Sequence, residues 1–200
     1  MWYYFKQTLF FFVYLIFMAI IALAITAIGI DALEAVLFGV CIAIYTFIVC
    51  ASNYKDGQEA VKLLQSNNMR RKQIIQTGEY IEIKKAGEFR PWKGFFIGFI
   101  VVIPLVVMMI VHLILFLATG GEVNGAGAAS GIVYMLFYAP YSSFMTEAAL
   151  KVGTHYFYLL YAVPYMMIIC GVPYLIGAKK MQKQYDKIEQ QQKMLYGDEK

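Results

Sequence analysis

The residues best suited to polar chemistry lie in the C-terminal half of the chain, around a stretch rich in small residues. Two groups of tyrosines recur there at helical spacing, with a glutamate, a lysine and two histidines nearby. Such side chains can line a hydrated cavity that binds a small molecule or a peptide. The candidate pocket residues are His112, Tyr134, Tyr138, Tyr141, Glu147, Lys151, His155, Tyr158, Tyr161 and Tyr165.

The same residues also fit a purely structural role. Tyrosine is enriched where a membrane meets water, so both groups are typical of an outer aromatic belt. Glu147 and Lys151 have the i,i+4 spacing of an ion pair at a helix end. His112 is alone in its apolar run, and one interhelical hydrogen bond would satisfy it. We favour this structural interpretation, and the pocket is the alternative.

No motif in the sequence predicts an enzyme. HExxH, GxSxG, the P-loop and a GxGxxG that opens a helix are all absent. The three cysteines show neither CxxC spacing nor a nearby histidine, which is the pattern of small buried hydrophobic residues. The sequence therefore predicts a non-enzymatic protein with no catalytic residue, no cofactor and no metal ion.

The elements that must position these residues are apolar runs. Of the 200 residues, 15% are charged and 60% are hydrophobic, whereas a soluble domain normally has about 25% charged residues. Four uncharged runs cover about 8–28, 35–51, 94–117 and 156–176. Runs of about 20 apolar residues are long enough to cross a bilayer as helices. Asp31 and Glu34 have the spacing of a capping box, so we interpret them as the start of the second helix.

The positions of the basic residues predict the topology. Sixteen of the 17 Lys and Arg residues lie before the first run, between the second and third, or after the fourth. With four spans, all sixteen lie on the cytoplasmic side, as the positive-inside rule requires. A fifth apolar run, 132–144, is only about 13 residues long, a length typical of a re-entrant or interfacial segment. We therefore expect an all-α polytopic protein of a bacterial cytoplasmic membrane, with both termini cytoplasmic.

This topology divides the chain into four parts. A first transmembrane hairpin covers 1–51, and a charged cytoplasmic loop covers 52–93. A second transmembrane hairpin covers 94–177 and includes the irregular outer module 119–155. A basic cytoplasmic tail covers 178–200. The tail repeats apolar residues at coiled-coil spacing, and Glu189 precedes Lys193 in the favourable i,i+4 order, so we expect a helix there.

The charged loop has several local patterns. A short amphipathic helix begins at Lys55 and is expected to stop at Asn67-Asn68, and residues 80–84 alternate as a short strand would. Trp92 and Lys93 are typical of a membrane interface, where lysine extends its ammonium group to water. The candidate residues for docking a lipid or a partner are Arg70, Arg71 and Lys72 in the loop and Met181, Tyr185, Ile188 and Leu195 in the tail.

Two functional hypotheses follow from these patterns. The first is an integral membrane accessory or regulatory protein that acts through helix packing and its cytoplasmic docking segments. The second is a small oligomeric transporter or channel with a site near the outer re-entrant segment, since prolines interrupt several of the apolar runs. The expected partners are the lipid bilayer and either another membrane protein or a second copy of the chain. A basic surface interleaved with aromatic residues is not visible, so nucleic acid is not expected.

Overall fold

The computed structural model describes residues 2–26, 31–85, 87–118 and 155–196. Helix α1 covers Trp2–Thr26, α2 covers Asp31–Thr77, α3 covers Lys93–Ala118 and α4 covers His155–Tyr196. No strand occurs among these residues. The predicted all-α class is confirmed, and the outer module lies outside the described residues except for His155.

The long helices α2 and α4 form the centre of the bundle. α4 packs along both α2 and α3, while α1 packs against α2 and α3. The two predicted hairpins therefore share one core, since the interface between α2 and α4 joins them. The most buried core side chains are Phe11, Leu15, Val49, Ile97, Val101, Met166 and Cys170.

Among the described residues, no helix has the length and apolar character needed to cross a membrane. The four membrane spans of the predicted class therefore remain a prediction.

Helix α2 runs without a break from its apolar part through most of the charged loop. The predicted stop at Asn67 is wrong because the Asn67 side chain is fully buried and donates its Nδ2 to the carbonyl of Lys84 at 2.9 Å. The asparagine thus holds a neighbouring segment instead of ending its own helix. The end comes at Gly78, whose φ of 72° is the left-handed conformation of a helix terminus. Its N–H donates to the carbonyl of Ile74 at 2.9 Å.

The connecting segment, residues 78–92, leads from α2 to α3. Its residues 80–84 are irregular, so their alternation does not form a strand. The segment returns along α2, because Arg70 donates to the carbonyl of Glu82 at 2.9 Å and Arg71 pairs with Glu88 at 3.0 Å. Pro91 precedes the first residue of α3 by two positions, where a missing N–H is tolerated.

Helix α4 continues from its apolar part into the basic tail, which confirms the predicted tail helix. Pro164 and Pro173 both lie inside it. The predicted pair between Glu189 and Lys193 is also present, with its atoms 3.3 Å apart. Both side chains are more than half exposed, so the pair contributes little to stability.

A buried polar junction as the candidate functional site

Four polar side chains, one from each helix, meet where the apolar parts of the helices end. Gln7 comes from α1, Asp56 from α2, Lys93 from α3 and Tyr174 from α4. Lys93 is the first residue of α3, so its side chain enters the bundle directly from the connecting segment. We call these four residues the polar junction.

Lys93 is the central residue of the polar junction. Its side chain is fully buried. The ammonium Nζ donates to the carbonyl of Gly87 at 3.3 Å, lies 3.9 Å from Oδ2 of Asp56, and is 5.6 Å from the centre of the Tyr174 ring. A carbonyl, a carboxylate and an aromatic face thus surround one cation. The prediction that Lys93 extends to water at a membrane interface is wrong, because its side chain points into the helix bundle, where these partners lie.

Asp56 joins α1 to the same cation. Its Oδ2 accepts a hydrogen bond from Nε2 of Gln7 at 2.6 Å, and its side chain is 13% exposed. Burial lowers the pKa of the Lys93 amine, and the negative charges of Asp56 and Glu59 oppose this shift. The direction of the net shift means that desolvation of the ammonium outweighs its attraction to the two carboxylates.

Tyr174 ties the connecting segment to α4. Its side chain is fully buried, and its ring stacks on Phe89 with the centres 5.8 Å apart and the planes at 14°. Its hydroxyl accepts the backbone N–H of Arg90 at 3.4 Å. The part of the connecting segment between Gly87 and Lys93 is therefore held against α4 by stacking at Phe89 and by hydrogen bonding at Arg90.

Glycines allow the helices to approach closely enough to form the polar junction. A Cβ added at Gly57 of α2 would overlap the carbonyl oxygen of Tyr174, and one added at Gly177 of α4 would overlap that of Tyr54. A Cβ at Gly94 would lie 2.8 Å from Cβ of Tyr174. Since no larger residue fits without a shift of backbone, these glycines determine where the three helices cross.

A line of smaller polar contacts leads from the junction along the face of α2 that packs on α4. Thr46 hydrogen-bonds to the Tyr165 hydroxyl, and the Cys50 thiol lies 3.5 Å from the carbonyl of Ile169. Asn53 is fully buried and donates to the carbonyl of Val49 at 2.9 Å. Among the described residues, four buried side-chain oxygens have no hydrogen-bond partner, namely Gln7 Oε1 and Thr8 Oγ1 of α1 and Asn53 Oδ1 and Asn67 Oδ1 of α2.

The predicted outer pocket can be placed only in part. Tyr165 is half-buried and faces Thr46 inside the bundle. His112 belongs to α3, and His155, Tyr158 and Tyr161 belong to α4, but their side chains are not described. Tyr134, Tyr138, Tyr141, Glu147 and Lys151 lie outside the described residues. The pocket itself therefore remains a prediction.

The predicted docking residues of the loop are partly engaged within the chain. Arg70 and Arg71 hold the connecting segment on α2, as described above, and Arg71 also donates to Oδ1 of Asn68 at 3.0 Å. Lys72 is exposed.

The docking residues of the tail lie along α4. Met181 and Tyr185 are half-buried, whereas 49% of Ile188 and 77% of Leu195 are exposed. The apolar seam of α4 is thus partly covered at its start and open towards its end.

Sequence reasoning missed the junction, and the signal was weak. Asp56 follows an apolar run by only a few residues and stands next to Gly57, a residue that permits close helix contact. Lys93 likewise precedes Gly94. A charge beside a glycine at the end of an apolar run was thus the available indication, but it does not identify which charges meet.

The polar junction can hold the four helices together. Within the described part of the chain, no group of three or more His, Cys, Asp or Glu side chains could hold a metal ion. Comparison with known protein families, curated proteins and solved structures finds no match to this chain.

Proposed function

We propose that this chain is a non-enzymatic membrane protein that acts by helix packing, with the extensions of α2 and α4 presented for docking. The observation that carries the proposal is the large set of apolar side chains exposed on the outside of the bundle. A few polar side chains, Asn53, Asn67 and Lys93, are buried inside it. Such an apolar exterior is typical of helices that contact lipid or another apolar partner.

The outward apolar residues follow helical faces over long distances. Exposure reaches 58% at Phe17, 74% at Phe47 and 58% at Ile114, whereas Asn53 and Lys93 are fully buried. Helix α1 covers most of the uncharged run 8–28, and the other three helices contain the runs 35–51, 94–117 and 156–176. The outward set includes Leu9, Phe10, Val13, Ile20, Val36, Val40, Ile44, Ile103, Val107 and Ile110.

Cysteine labelling of intact cells tests the membrane arrangement. The native Cys41 and Cys170 are buried and Cys50 is partly buried, so labelling by a membrane-impermeant maleimide is compared with a Cys50→Ser background. We expect Gly125→Cys to react from outside, and Lys72→Cys and Gln190→Cys to react only after the membrane is opened. Reaction of Gln190→Cys in intact cells would exclude the proposed topology.

Purification in mild detergent tests the accessory role. We expect a partner at fixed stoichiometry, with the exposed end of the α4 seam as its contact. Ile188→Asn and Leu195→Asn should release that partner, while the matched control Lys193→Gln should retain it, since Lys193 is exposed and pairs only locally with Glu189. A clean monomer in the wild-type preparation contradicts this role.

A small oligomeric transporter or channel is the second candidate function. The observation that favours it is the set of buried oxygens of Gln7, Thr8 and Asn53, since unpartnered buried oxygens commonly bind water or an ion. Reconstituted vesicles test this candidate. Solute or ion flux that is unchanged after replacement of His112, Glu147 and Asn53 would remove the residues on which it depends.

A further inference from the structure

Four lysines form one exposed face of α4 just beyond its apolar part. All four are exposed, namely Lys179, Lys180, Lys183 and Lys187. Together with Ile176 and Gln184 they line an open pocket with a volume of about 460 Å³. Lys179, Lys183 and Lys187 follow one another at intervals of four residues and Lys180 precedes Lys183 by three, which places them on one side of the helix. We call this set the lysine face; it spans about 12 Å along the axis at 1.5 Å per residue.

The lysine face continues an apolar outer surface of the same helix. Val172 is 41% exposed and Ile176 is 56% exposed, and both precede the first lysine by less than two turns. In the membrane arrangement proposed above, lipid tails contact this apolar surface. The four ammonium groups then lie at the depth of the lipid headgroups, and their long stems can follow the apolar boundary.

The positive charge of this face is poorly balanced within the chain. Lys183 and Lys187 are an i,i+4 pair of like charges, which repel each other. Among the described acidic residues of the tail, Glu189 pairs with Lys193 at 3.3 Å, and Asp186, three residues after Lys183, forms no ion pair with the four lysines. One nearby carboxylate therefore stands against four ammonium groups. Lys180 lies over the Tyr54 ring at 5.8 Å, which orients its ammonium but adds no negative charge. An external anion would relieve the repulsion.

We propose that the lysine face binds the phosphate groups of anionic phospholipids in the adjoining leaflet. The proposal rests on the proposed membrane arrangement. Lysine binds phosphate as a point charge, and a cluster of four basic residues next to a membrane helix is typical of sites for anionic lipids. A lipid surface is favoured over a soluble anion because exposed apolar residues adjoin the lysines on the same helix.

Lipid nanodiscs provide the test. The full chain is reconstituted in discs of mixed phosphatidylglycerol and phosphatidylcholine, and the lipids that remain bound after transfer to detergent are counted by native mass spectrometry. The test variant carries Lys179→Gln, Lys180→Gln, Lys183→Gln and Lys187→Gln. The control variant loses the same charge at four other exposed lysines, through Lys55→Gln, Lys62→Gln, Lys84→Gln and Lys85→Gln.

We expect the wild type and the control variant to retain phosphatidylglycerol in preference to phosphatidylcholine. The test variant should lose that preference by a factor on the order of several hundred, since each basic residue near an anionic surface contributes about fivefold. High salt should weaken the wild-type preference. Equal retention by the test and control variants overturns the proposal.

Two further outcomes separate the possible failures. If inorganic phosphate displaces phosphatidylglycerol and binds as tightly as that lipid, the lysine face is a site for soluble anions, and the lipid proposal is overturned. A self-associated chain that loses its dimer in the test variant would assign the face to a second copy. If the chain remains in the membrane but shows no lipid preference, only the proposal for the lysine face is overturned. If the chain can be extracted without detergent, the proposed membrane function is overturned as well.

Discussion

Removal of the Asp56 charge should destabilise the protein because it leaves Lys93 as a buried cation without its carboxylate. Asp56→Asn keeps the size of the side chain and its reach to Gln7. The Gly87 carbonyl at 3.3 Å and the Tyr174 ring at 5.6 Å remain around the ammonium, and neither carries a negative charge. The charge of Glu59 still acts on Lys93, but its effect is smaller than that of Asp56. The desolvation cost of Lys93 is therefore less compensated than before.

The magnitude follows from the geometry. At 3.9 Å, two unit charges attract by about 4 kcal/mol for an effective dielectric constant near 20. Breaking a buried pair by removing one partner typically costs about 3–5 kcal/mol. Asp56 retains 13% exposure and its distance is at the long end for a pair, so we expect a loss of about 3 kcal/mol in the free energy of unfolding.

A double-mutant cycle distinguishes this cause from a general defect. Lys93→Met removes the charge but keeps a long stem beside Tyr174. Added to Asp56→Asn, it should restore most of the lost stability, because replacing both members of a buried pair is often nearly neutral. We therefore expect the double variant to be at least about 2 kcal/mol more stable than Asp56→Asn alone.

The assay is reversible unfolding by denaturant in a mild detergent, followed by helical circular dichroism. The exposed pair of Glu189 and Lys193 serves as the control. Its atoms are closer, at 3.3 Å, but its side chains are 68% and 60% exposed, so a cycle there should show coupling below about 0.5 kcal/mol. A double variant less stable than Asp56→Asn, or additive effects at Asp56 and Lys93, would refute the reasoning.

The burial of Lys93 should also make the free energy of unfolding depend on pH. Burial lowers the pKa of Lys93 in the folded protein, while a lysine in the unfolded chain titrates near 10.4. Between these values the unfolded state binds more protons than the folded state, so stability rises with pH. We expect the wild type to gain stability relative to Lys93→Met as the pH rises towards about 10. A relative loss over that range would show that the pKa is raised.

Three further predictions concern packing and the connecting segment. Gly57→Ala should lower the free energy of unfolding by about 2 kcal/mol or more, because the added Cβ overlaps the backbone of Tyr174. The control Gly39→Ala has open space around it and should raise the free energy of unfolding by up to about 1 kcal/mol. Equal effects of the two substitutions would contradict the close approach of α2 to α4 at Gly57. Arg71→Ala should speed proteolysis of residues 78–92 while global stability falls by less than about 1 kcal/mol, and unchanged cleavage would count against its pairing with Glu88. Tyr174→Phe leaves the Arg90 amide without its acceptor, so its hydrogen exchange should accelerate and stability should fall by about 1 kcal/mol; a protected amide would disprove that bond.

Local patterns in the sequence predicted three of the helices well. The runs 8–28, 94–117 and 156–176 with the basic tail correspond to Trp2–Thr26, Lys93–Ala118 and His155–Tyr196. These predictions succeed because runs of apolar residues and heptad spacing are properties of neighbouring residues. The predicted pair of Glu189 and Lys193 succeeds for the same reason, since four residues span one turn.

The end of α2 shows where local patterns are insufficient. Two asparagines in a row are a common stop signal for a helix. Asn67, however, is fully buried, and its side-chain amide donates a hydrogen bond to the carbonyl of Lys84. The helix continues to Thr77, and the amide nitrogen of Asn67 donates to a carbonyl of the connecting segment instead of capping its own helix. A sequence pattern shows that a residue is able to cap a helix but not whether a distant partner engages it first.

By itself, the sequence determined the helical class, the apolar faces and the uneven placement of positive charge, because each depends on residue type and on spacing within one or two turns. Only the tertiary structure decided which charges are buried. The sequence around Lys93 is typical of a membrane interface. In the structure Lys93 is instead the centre of the polar junction, because the packing of the chain brings Asp56, Gly87 and Tyr174 around it. The energy of a charge depends on its surroundings in space, and those surroundings come from parts of the chain far apart in sequence.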